Sequence, residues 1–379
     1  MSKFVKHQVK NRRIAELMKS FLRDQLAPCF YGAIFLLGGS FLTSCDKKGS
    51  QSAENVLPTI EESISENSVS VVSPALENRT IAETTVADAA PQPAAPPQVS
   101  SATGLRFLAY NVENWLIMED RYDFDTRKSS KNAPKPEKER ASVISIVASE
   151  KPDVFGVCEI GAKTDLLEIQ AGLKAAGLDL PHMHFTGGQD TTRHLGILSR
   201  YPIVATAEPT EKVYKLNGKD YQMQRGILDA TIKTPDGRSW RFLGVHLKSK
   251  RDVEDGDQEQ MRINEAQLLR KHIDSIIAAD PKVRLLSYGD FNDTRGTSTI
   301  RIVTGPNNSP RNMMPIGVKD SRGLYWTHFW AKEDVYSRFD YIFVSQDLKN
   351  DVSFQECKIL DPENWNDASD HRAVLGVFR

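Results

Sequence analysis

Short apolar runs follow one another closely between residues 105 and 378, and this pattern restricts the fold more than any other feature of the chain. The runs are rich in β-branched and aromatic residues and are apolar throughout or alternating, which is typical of β-strands. The predicted strands are 105–112, 153–160, 194–199, 225–232, 240–247, 283–290, 340–345 and 372–378.

Three segments between these runs predict helices at about 137–149, 163–176 and 258–279. The last is the clearest, because apolar residues from Ala266 to Ile277 recur on one helical face. The turn sequence TPDGRS at 234–239 predicts a hairpin between two strands. Strands with occasional helices outside them favour two packed sheets flanked by helices.

The first 45 residues predict a targeting segment. Lys and Arg residues precede a short apolar run, and that run ends in Leu42-Thr43-Ser44-Cys45. This ending resembles a bacterial lipobox, which implies cleavage before Cys45 and lipidation of that cysteine. A plain secretory signal and an uncleaved anchor helix are the alternatives, and Met18 could be the true start instead of Met1.

Residues 46–103 lack the periodic apolar content needed to bury a core, and their end is rich in Ala and Pro. We therefore expect a disordered tether between a lipid anchor at Cys45 and a folded domain at 104–379. This organisation predicts a monomeric lipoprotein of the bacterial cell envelope, attached to a membrane with its folded domain outside the cytoplasm.

Charge and cysteine content exclude two classes of protein. The formal net charge is -1, which argues against a strongly basic nucleic-acid-coating protein but not against a nuclease that neutralises phosphate with a metal ion. The 4 cysteines are too few and too scattered for a disulfide framework, and none has zinc-site spacing. Cys158 is predicted to be a buried thiol, and no disulfide is predicted.

Polar residues stand at one end of several predicted strands. Asp290 and Asn292 follow one apolar run, and two positions apart on an extended chain they would point to the same face. An Asp/Asn turn is the simpler interpretation of that pair alone. Comparable residues stand at other strand ends, and they are Asn111, Glu113, Glu159, His246, Asp340, Asp370 and His371. Such agreement predicts one shared polar site.

With these residues in order, the chain resembles the endonuclease/exonuclease/phosphatase superfamily of deoxyribonuclease I-like enzymes. The resemblance rests on an ordered set of segments: YNVEN, CEIG, LSRYPI, VHLKS, YGDFND, RFDYIFVS and SDHRAV. It implies a four-layer α/β/β/α sandwich of two mixed, mainly antiparallel sheets flanked by helices. It also implies a site in the cleft above the two sheets.

The resemblance and the chemistry of the residues imply a metal-dependent phosphoesterase. Glu159 would be the main ligand of Mg²⁺, with Mn²⁺ as an alternative ion, joined by Asn111, Glu113 and Asp370. Whether one or two ions bind is left open, because the sequence does not distinguish these cases.

Five residues are predicted to carry the catalytic chemistry. His371 and Asp340 would form a dyad, and either His371 or Asp290 would be the general base. Asn292 and His246 would donate hydrogen bonds to the non-bridging phosphate oxygens.

Two further features belong to the predicted cleft. Arg225 could bind a substrate phosphate, although an arginine at a strand start is ordinarily solvated. The segment 187–194 is predicted to form one lip of the cleft.

The favoured function is that of an extracytoplasmic nuclease that cleaves DNA or RNA. VHLKS with His246 favours this over the abasic-site repair branch. A phosphomonoesterase or lipid phosphodiesterase acting on inositol phosphates or sphingomyelin is the alternative, although RFDYIF differs from the inositol-phosphatase pattern. A binding lipoprotein without catalysis is a third interpretation, disfavoured because the expected site residues are present.

Overall fold

The computed structural model describes residues 104–123, 126–254 and 256–379. The predicted leader, the lipidation site at Cys45 and the predicted tether lie outside the described residues. No helix in the described part of the chain is both long enough and apolar enough to cross a membrane.

The strands are numbered in chain order. They are β1 (Leu105–Trp115), β2 (Met118–Asp123), β3 (Lys128–Ala133), β4 (Val154–Ile160), β5 (His182–Thr186), β6 (His194–Ser199), β7 (Ile203–Thr206), β8 (Val213–Leu216), β9 (Lys219–Gln222), β10 (Leu228–Lys233), β11 (Ser239–His246), β12 (Leu285–Asp290), β13 (Met314–Pro315), β14 (His328–Trp330), β15 (Val335–Ser337), β16 (Asp340–Val344), β17 (Lys358–Ile359) and β18 (Val374–Phe378). The helices are α1 (Glu137–Glu150), α2 (Lys163–Ala175), α3 (Gln258–Ala279), α4 (Ser298–Thr304) and α5 (Trp365–Ala368).

Two six-stranded sheets form the centre of the fold, in the orders β17-β18-β1-β4-β6-β5 and β13-β16-β12-β11-β10-β7. Each sheet has one parallel pair, β1 with β4 and β11 with β12, and its other pairs are antiparallel. The predicted mixed, mainly antiparallel sheets are therefore confirmed.

The two sheets pack through aromatic side chains, and helices cover their outer faces. The Phe107 ring of the first sheet lies 5.0 Å from the Phe242 ring and 4.7 Å from the Tyr288 ring of the second. Buried residues of α1 and α2 pack in the same apolar core as the first sheet, and α3 packs against the other face of the second sheet. This arrangement is the predicted sandwich.

Strand alternation brings the polar ends of the strands into the space between the sheets. In β1, Asn111 shares a face with Phe107, and in β11, His246 shares a face with Phe242. His246 is also paired in register with Asp290 of β12. On the same face of each strand, the earlier residue therefore packs in the core and the residue at the strand end lies in the site.

All eight predicted strands and all three predicted helices are present, with small shifts of their ends. Two of these ends differ by three residues: β1 continues to Trp115 and does not end at residue 112, and β10 begins at Leu228 and not at residue 225. Arg225 therefore lies before the strand. The hairpin expected at 234–239 is confirmed by the antiparallel pairing of β10 with β11. Two stretches with no predicted strand or helix also form regular structure, because 115–136 contains the β2–β3 hairpin and 294–325 contains α4 and β13.

Candidate active site

A buried histidine–aspartate pair lies at the end of the second sheet. The Nδ1 atom of His371 is 2.8 Å from Oδ2 of Asp340, the first residue of β16. Asp340 is paired in register with Asp290, and Nε2 of His371 lies 3.7 Å from Oδ2 of Asp290 and 3.4 Å from Nδ2 of Asn111. The structure thus brings the three residues together as the sequence predicts.

The backbone of β4 turns Glu159 into the cleft. A regular strand would direct Glu159 and Cys158 to opposite faces, and Cys158 faces the second sheet, with its Sγ 3.5 Å from the carbonyl oxygen of Val245. Glu159 has φ 64, and the pairing with β6 shifts register between Cys158 and Ile160. The irregularity therefore re-aims the carboxylate, as β-bulges beside active sites do.

Asn111 links the carboxylates of both sheets. Its Nδ2 donates to Oε1 of Glu159 and to Oδ2 of Asp290, both at 3.1 Å, and its Oδ1 accepts from the backbone N–H of Glu113. The contacts that the structure shows are those of an organising bridge, so a ligand role for Asn111 stays a prediction. Oε2 of Glu113 in turn accepts from the backbone N–H of Asp370 at 3.1 Å.

Asp290 and Asn292 do lie together, but the predicted reason was wrong. Asn292 has φ 50, which is left-handed and not extended, so the strand has already ended at this residue. Its backbone N–H and its Nδ2 both donate to the Asp290 carboxylate, at 2.8 and 3.2 Å. The pair is the Asp/Asn turn of the simpler interpretation, and it holds Asp290 in the cleft.

His246 is buried beside the same carboxylates. Its Nε2 lies 3.7 Å from Oε1 of Glu159 and 3.6 Å from Oδ2 of Asp290. Burial, followed by the nearby Arg225, lowers the pKa of His246 to about 3. The imidazole is therefore neutral at pH 7 and can donate only one hydrogen bond.

Arg225 is not the solvated side chain that its position suggested. The residue is 8% exposed, and its Nε lies 3.2 Å from Oδ2 of Asp190, while Nε and Nη1 make no hydrogen bond within the described chain. Asp190 belongs to the segment 187–194, which lies beside the site, because Nε of Arg193 is 3.9 Å from Oε2 of Glu159. The structure therefore places Arg193 next to the predicted metal ligand Glu159, and it places Arg225 close enough to His246 to affect its charge.

The site contains more buried acid than nearby base. Five carboxylates form what we call the acidic cluster: Glu113, Glu159, Asp290, Asp340 and Asp370. Burial and then the charges of Asp340 and Glu159 raise the pKa of Asp290 to about 7, although His371 opposes them. Burial also raises the pKa of Glu113 to about 8 and that of Asp370 to about 6. Neighbouring carboxylates whose ionisation is disfavoured in this way indicate a place for a cation.

Glu159 remains ionised and His371 remains protonated at neutral pH. Burial raises the pKa of Glu159, but His246, Arg193, His371 and the hydrogen bond from Asn111 bring it down to about 2. Because His246 is neutral at pH 7, the cations near Glu159 at that pH are Arg193 and His371. Burial alone would lower the pKa of His371, yet Asp340, Asp290 and Asp370 raise it well above its usual range.

These residues fit a hard divalent cation. Carboxylate oxygens and amide groups are the donors that Mg²⁺ and Mn²⁺ prefer, and the acidic cluster supplies several of them within one cleft. Glu159 with His246 and Asp290 forms one group whose ligand atoms all lie within 4.8 Å of one another. His328 with Asp370 and His371 forms a second such group.

Four residues around the site were not predicted. The backbone N–H of Asn114 donates to Glu159 at 3.0 Å, and Lys135 donates to the backbone oxygen of Glu113. Ser369 accepts from the backbone N–H of His371, and the His328 ring lies tilted against the His371 ring. Asn114 and Ser369 adjoin predicted site segments, so sequence proximity could have indicated them. Lys135 and His328 reach the site only through long-range pairing.

The two cysteines in the described chain, Cys158 and Cys357, are both free and buried. This confirms the prediction of a buried thiol at Cys158.

Comparison with known proteins identifies the class. A model of the endonuclease/exonuclease/phosphatase family matches residues 124–371. The match spans more than half of the chain, so the chain belongs to this family, whose members are phosphoesterase hydrolases. No curated protein sequence matches the chain.

Solved structures of low sequence identity share the fold. The chain is similar to an endonuclease/exonuclease/phosphatase family protein from Leptotrichia buccalis C-1013-b, with a TM-score of 0.51, 17% identity and coverage of 73% of this chain and 99% of that one. It is similar to a family protein from Bacteroides vulgatus, with a TM-score of 0.52 and the same identity and coverages, 17%, 73% and 99%. The catalytic domain of human Nocturnin with bound sulfate gives a TM-score of 0.50 at 15% identity, covering 73% of this chain and 94% of that one.

Proposed function

We propose that the protein is a Mg²⁺-dependent phosphodiester hydrolase, most specifically a nuclease that cleaves DNA or RNA by attack of water on phosphorus. One observation carries the proposal: the His371–Asp340 dyad faces Asp290 inside a cleft lined by clustered carboxylates. That arrangement supplies a proton acceptor, a hydrogen-bond donor and metal ligands within one space.

The metal would be held from the first sheet. Glu159, Asp370 and Glu113 offer carboxylate oxygens, and Asn111 would fix their spacing through its hydrogen bonds. A bound Mg²⁺ or Mn²⁺ supplies charge stabilisation for the phosphate oxygens, and one ion or two would fit this chemistry.

Asp290 is the residue best placed as general base. His371 is held by Asp340 through Nδ1, so its Nε2 is the atom that faces the cleft. Charged at neutral pH, it would donate to a phosphate oxygen and could not accept a proton there. Asp290 has acceptor oxygens and a pKa raised to about 7, which suits proton abstraction from water near neutral pH.

Phosphate binding would fall to residues with free donors. Neutral His246 can donate through one ring nitrogen, and buried Arg225 has two nitrogens without a hydrogen-bond partner in the described chain. Nδ2 of Asn292 already donates to Asp290 and to the backbone oxygen of Leu247 at 3.0 Å. We therefore assign Asn292 to the positioning of Asp290 and assign phosphate contact to His246 and Arg225.

The place of action is proposed from the sequence alone. A basic segment precedes a short apolar run, and that run ends in Cys45. This order supports lipidation at Cys45 and attachment to a membrane of the bacterial envelope. The 46–103 tether would then hold a monomeric catalytic domain outside the cytoplasm. Metabolic labelling with a radioactive fatty acid tests this, because a Cys45→Ala variant should lose the label.

A substrate panel tests the proposed activity. The purified protein would be given plasmid DNA, single-stranded DNA, RNA, sphingomyelin and inositol phosphates, with Mg²⁺ or with EDTA. Cleavage of nucleic acid in Mg²⁺ alone would support the nuclease assignment. Turnover of only a lipid or an inositol phosphate would reassign the substrate class. Absence of any turnover would favour the binding lipoprotein.

A further inference from the structure

His328 faces His371, the histidine of the dyad, across two neighbouring extended segments. His328, the first residue of β14, forms an antiparallel bridge with His371, and their ring centroids are 4.6 Å apart. The backbone N–H of the next residue, Phe329, donates to the carbonyl oxygen of Asp370 at 2.9 Å, which fixes this register. Directly opposed side chains in such a bridge lie close enough to bind one ligand together.

Asp370 adds an oxygen donor between the two imidazoles. Its Oδ2 lies 3.7 Å from Nε2 of His328, and its Oδ1 lies 3.9 Å from Nε2 of His371. The Asp370 side chain is 42% exposed, so a hydrated ion can reach the group from the cleft. The three residues form what we call the His–Asp–His group.

In both imidazole rings, Nε2 is the nitrogen placed to bind a metal ion. Asp340 holds Nδ1 of His371, which leaves Nε2 as the ligand atom, in the carboxylate–histidine–metal arrangement that many metal sites use. Nδ1 of His328 is buried and has no hydrogen-bond partner within the described residues, and its Nε2 faces Asp370. His328 is also held by the Phe339 ring, whose centroid is 5.0 Å away.

The donor set differs from that of the proposed magnesium site. Two imidazole nitrogens and one carboxylate oxygen favour Zn²⁺ and similar transition metals over Mg²⁺, which prefers oxygen ligands. Ligand bonds of about 2.1 Å in a tetrahedral zinc site place donor atoms about 3.4 Å apart. The donor separations of 3.7 and 3.9 Å in this group need small side-chain shifts to match.

We propose that the His–Asp–His group is a transition-metal site that takes Zn²⁺ and that its occupation inhibits the enzyme. Zn²⁺ binding at Nε2 displaces the proton that His371 carries there, and this proton is released to solvent. The bound metal removes Nε2 of His371 from contact with substrate, and it draws Asp370 away from the magnesium site. The inhibition rests on the proposed hydrolase function, whereas the binding of Zn²⁺ does not.

Calorimetric titration of the full chain with Zn²⁺ tests the site in excess Mg²⁺, because Mg²⁺ prefers the carboxylate oxygens of Glu159 and Glu113 to imidazole nitrogens. We expect wild type to bind one Zn²⁺ that a His328→Phe variant binds at least tenfold more weakly. Phenylalanine preserves the ring packed on Phe339. His184→Phe changes a histidine of β5 and should bind Zn²⁺ as wild type does.

A second variant and a spectroscopic signal keep the test decisive. Asp370→Asn replaces the charged carboxylate with a neutral amide without changing the packed rings and should also weaken Zn²⁺ binding. Co²⁺ in place of Zn²⁺ should give a visible absorption band in wild type that His328→Phe lacks. Equal affinity and an equal band in wild type and both variants would overturn the site.

The inhibition is measured with bis(p-nitrophenyl) phosphate in Mg²⁺. Zn²⁺ should inhibit wild type at the concentration that fills the site, and His328→Phe should require at least tenfold more. Inhibition of both proteins at the same concentration would overturn the inhibitory role. A protein that binds Zn²⁺ at His328 but hydrolyses no substrate would refute the proposed function and leave the metal site supported.

Discussion

Replacement of Asp340 by Asn tests the dyad, because it removes one charge and keeps the shape of the side chain. The lost interaction is the buried 2.8 Å contact between Oδ2 of Asp340 and Nδ1 of His371. Hydrogen bonds to charged groups contribute about 1.5–3 kcal/mol, and about 1.4 kcal/mol corresponds to a tenfold change in rate. If the contact acts fully in the transition state, turnover should fall by about 10- to 150-fold.

The effect should also change the state of His371. Asp340 is the largest of the charges that raise the pKa of His371 above its usual range, so Asp340→Asn should lower that pKa. A raised folded-state pKa keeps His371 protonated as the pH rises. The variant should therefore lose its protonated His371, and with it activity, at a lower pH than wild type does on the alkaline side of the profile.

The assay is steady-state hydrolysis of bis(p-nitrophenyl) phosphate in Mg²⁺ across a pH series, with thermal unfolding measured for both proteins. Asp347→Asn is the matched control, because Asp347 is exposed on the surface and should leave turnover unchanged. Turnover of a folded Asp340→Asn variant within twofold of wild type, with an unshifted pH profile, would show that the His371–Asp340 dyad has no catalytic role.

Three further changes test the site and the core. Glu159→Gln should lower turnover by on the order of a hundredfold and raise the Mg²⁺ concentration for half-maximal rate, whereas an unchanged Mg²⁺ dependence would contradict its ligand role. Burial raises the pKa of Asp229, but its hydrogen bonds, of which that with His272 has the largest effect, lower the pKa below its usual value. Ionised Asp229 therefore stabilises the folded state at neutral pH, and this stabilisation is lost as the pH falls below about 4. Asp229→Asn should therefore cost on the order of 2 kcal/mol in urea unfolding at pH 7 and much less at pH 3, and an equal cost at both would refute this. Gly156→Ala should destabilise the fold by about 1–3 kcal/mol, since the new Cβ would lie 2.1 Å from Cε2 of Tyr288, and wild-type stability would show that the sheets can separate without cost.

The sheets could be predicted because their strands are buried on both faces. A strand such as β12, with every residue buried, reads as an apolar run that ends where the core ends. The polar residue at its end, Asp290, was therefore visible from the sequence. The helix α3 was equally clear, since one apolar face recurs along its whole length.

Several short strands escaped prediction for a physical reason. β2 and β3 are largely exposed and polar, so no apolar period marks them, and β15 has only three residues, too few to show a period. The hairpin of β14 and β15 brings His328 to His371 through pairing across more than forty residues of sequence. Such a contact leaves no local signal.

Backbone conformation was the other part that the sequence did not reveal. Glu113 and Glu159 adopt positive φ values of 50 and 64, although glutamate does not favour that region. Surrounding hydrogen bonds hold them there, and unusual backbone of this kind is common at active sites. The sequence predicted which residues meet, but the bends that aim them required the structure.

The proposed Mg²⁺-dependent nuclease activity is tested most directly by the initial rate of cleavage of plasmid DNA and of RNA by the full chain as Mg²⁺ is titrated. Wild type and a His371→Ala variant would be compared, each with an EDTA control. We expect cleavage that saturates with Mg²⁺, vanishes in EDTA and falls about a hundredfold or more in the variant. Cleavage that persists in EDTA, or that the folded His371→Ala variant performs at the wild-type rate, would contradict it.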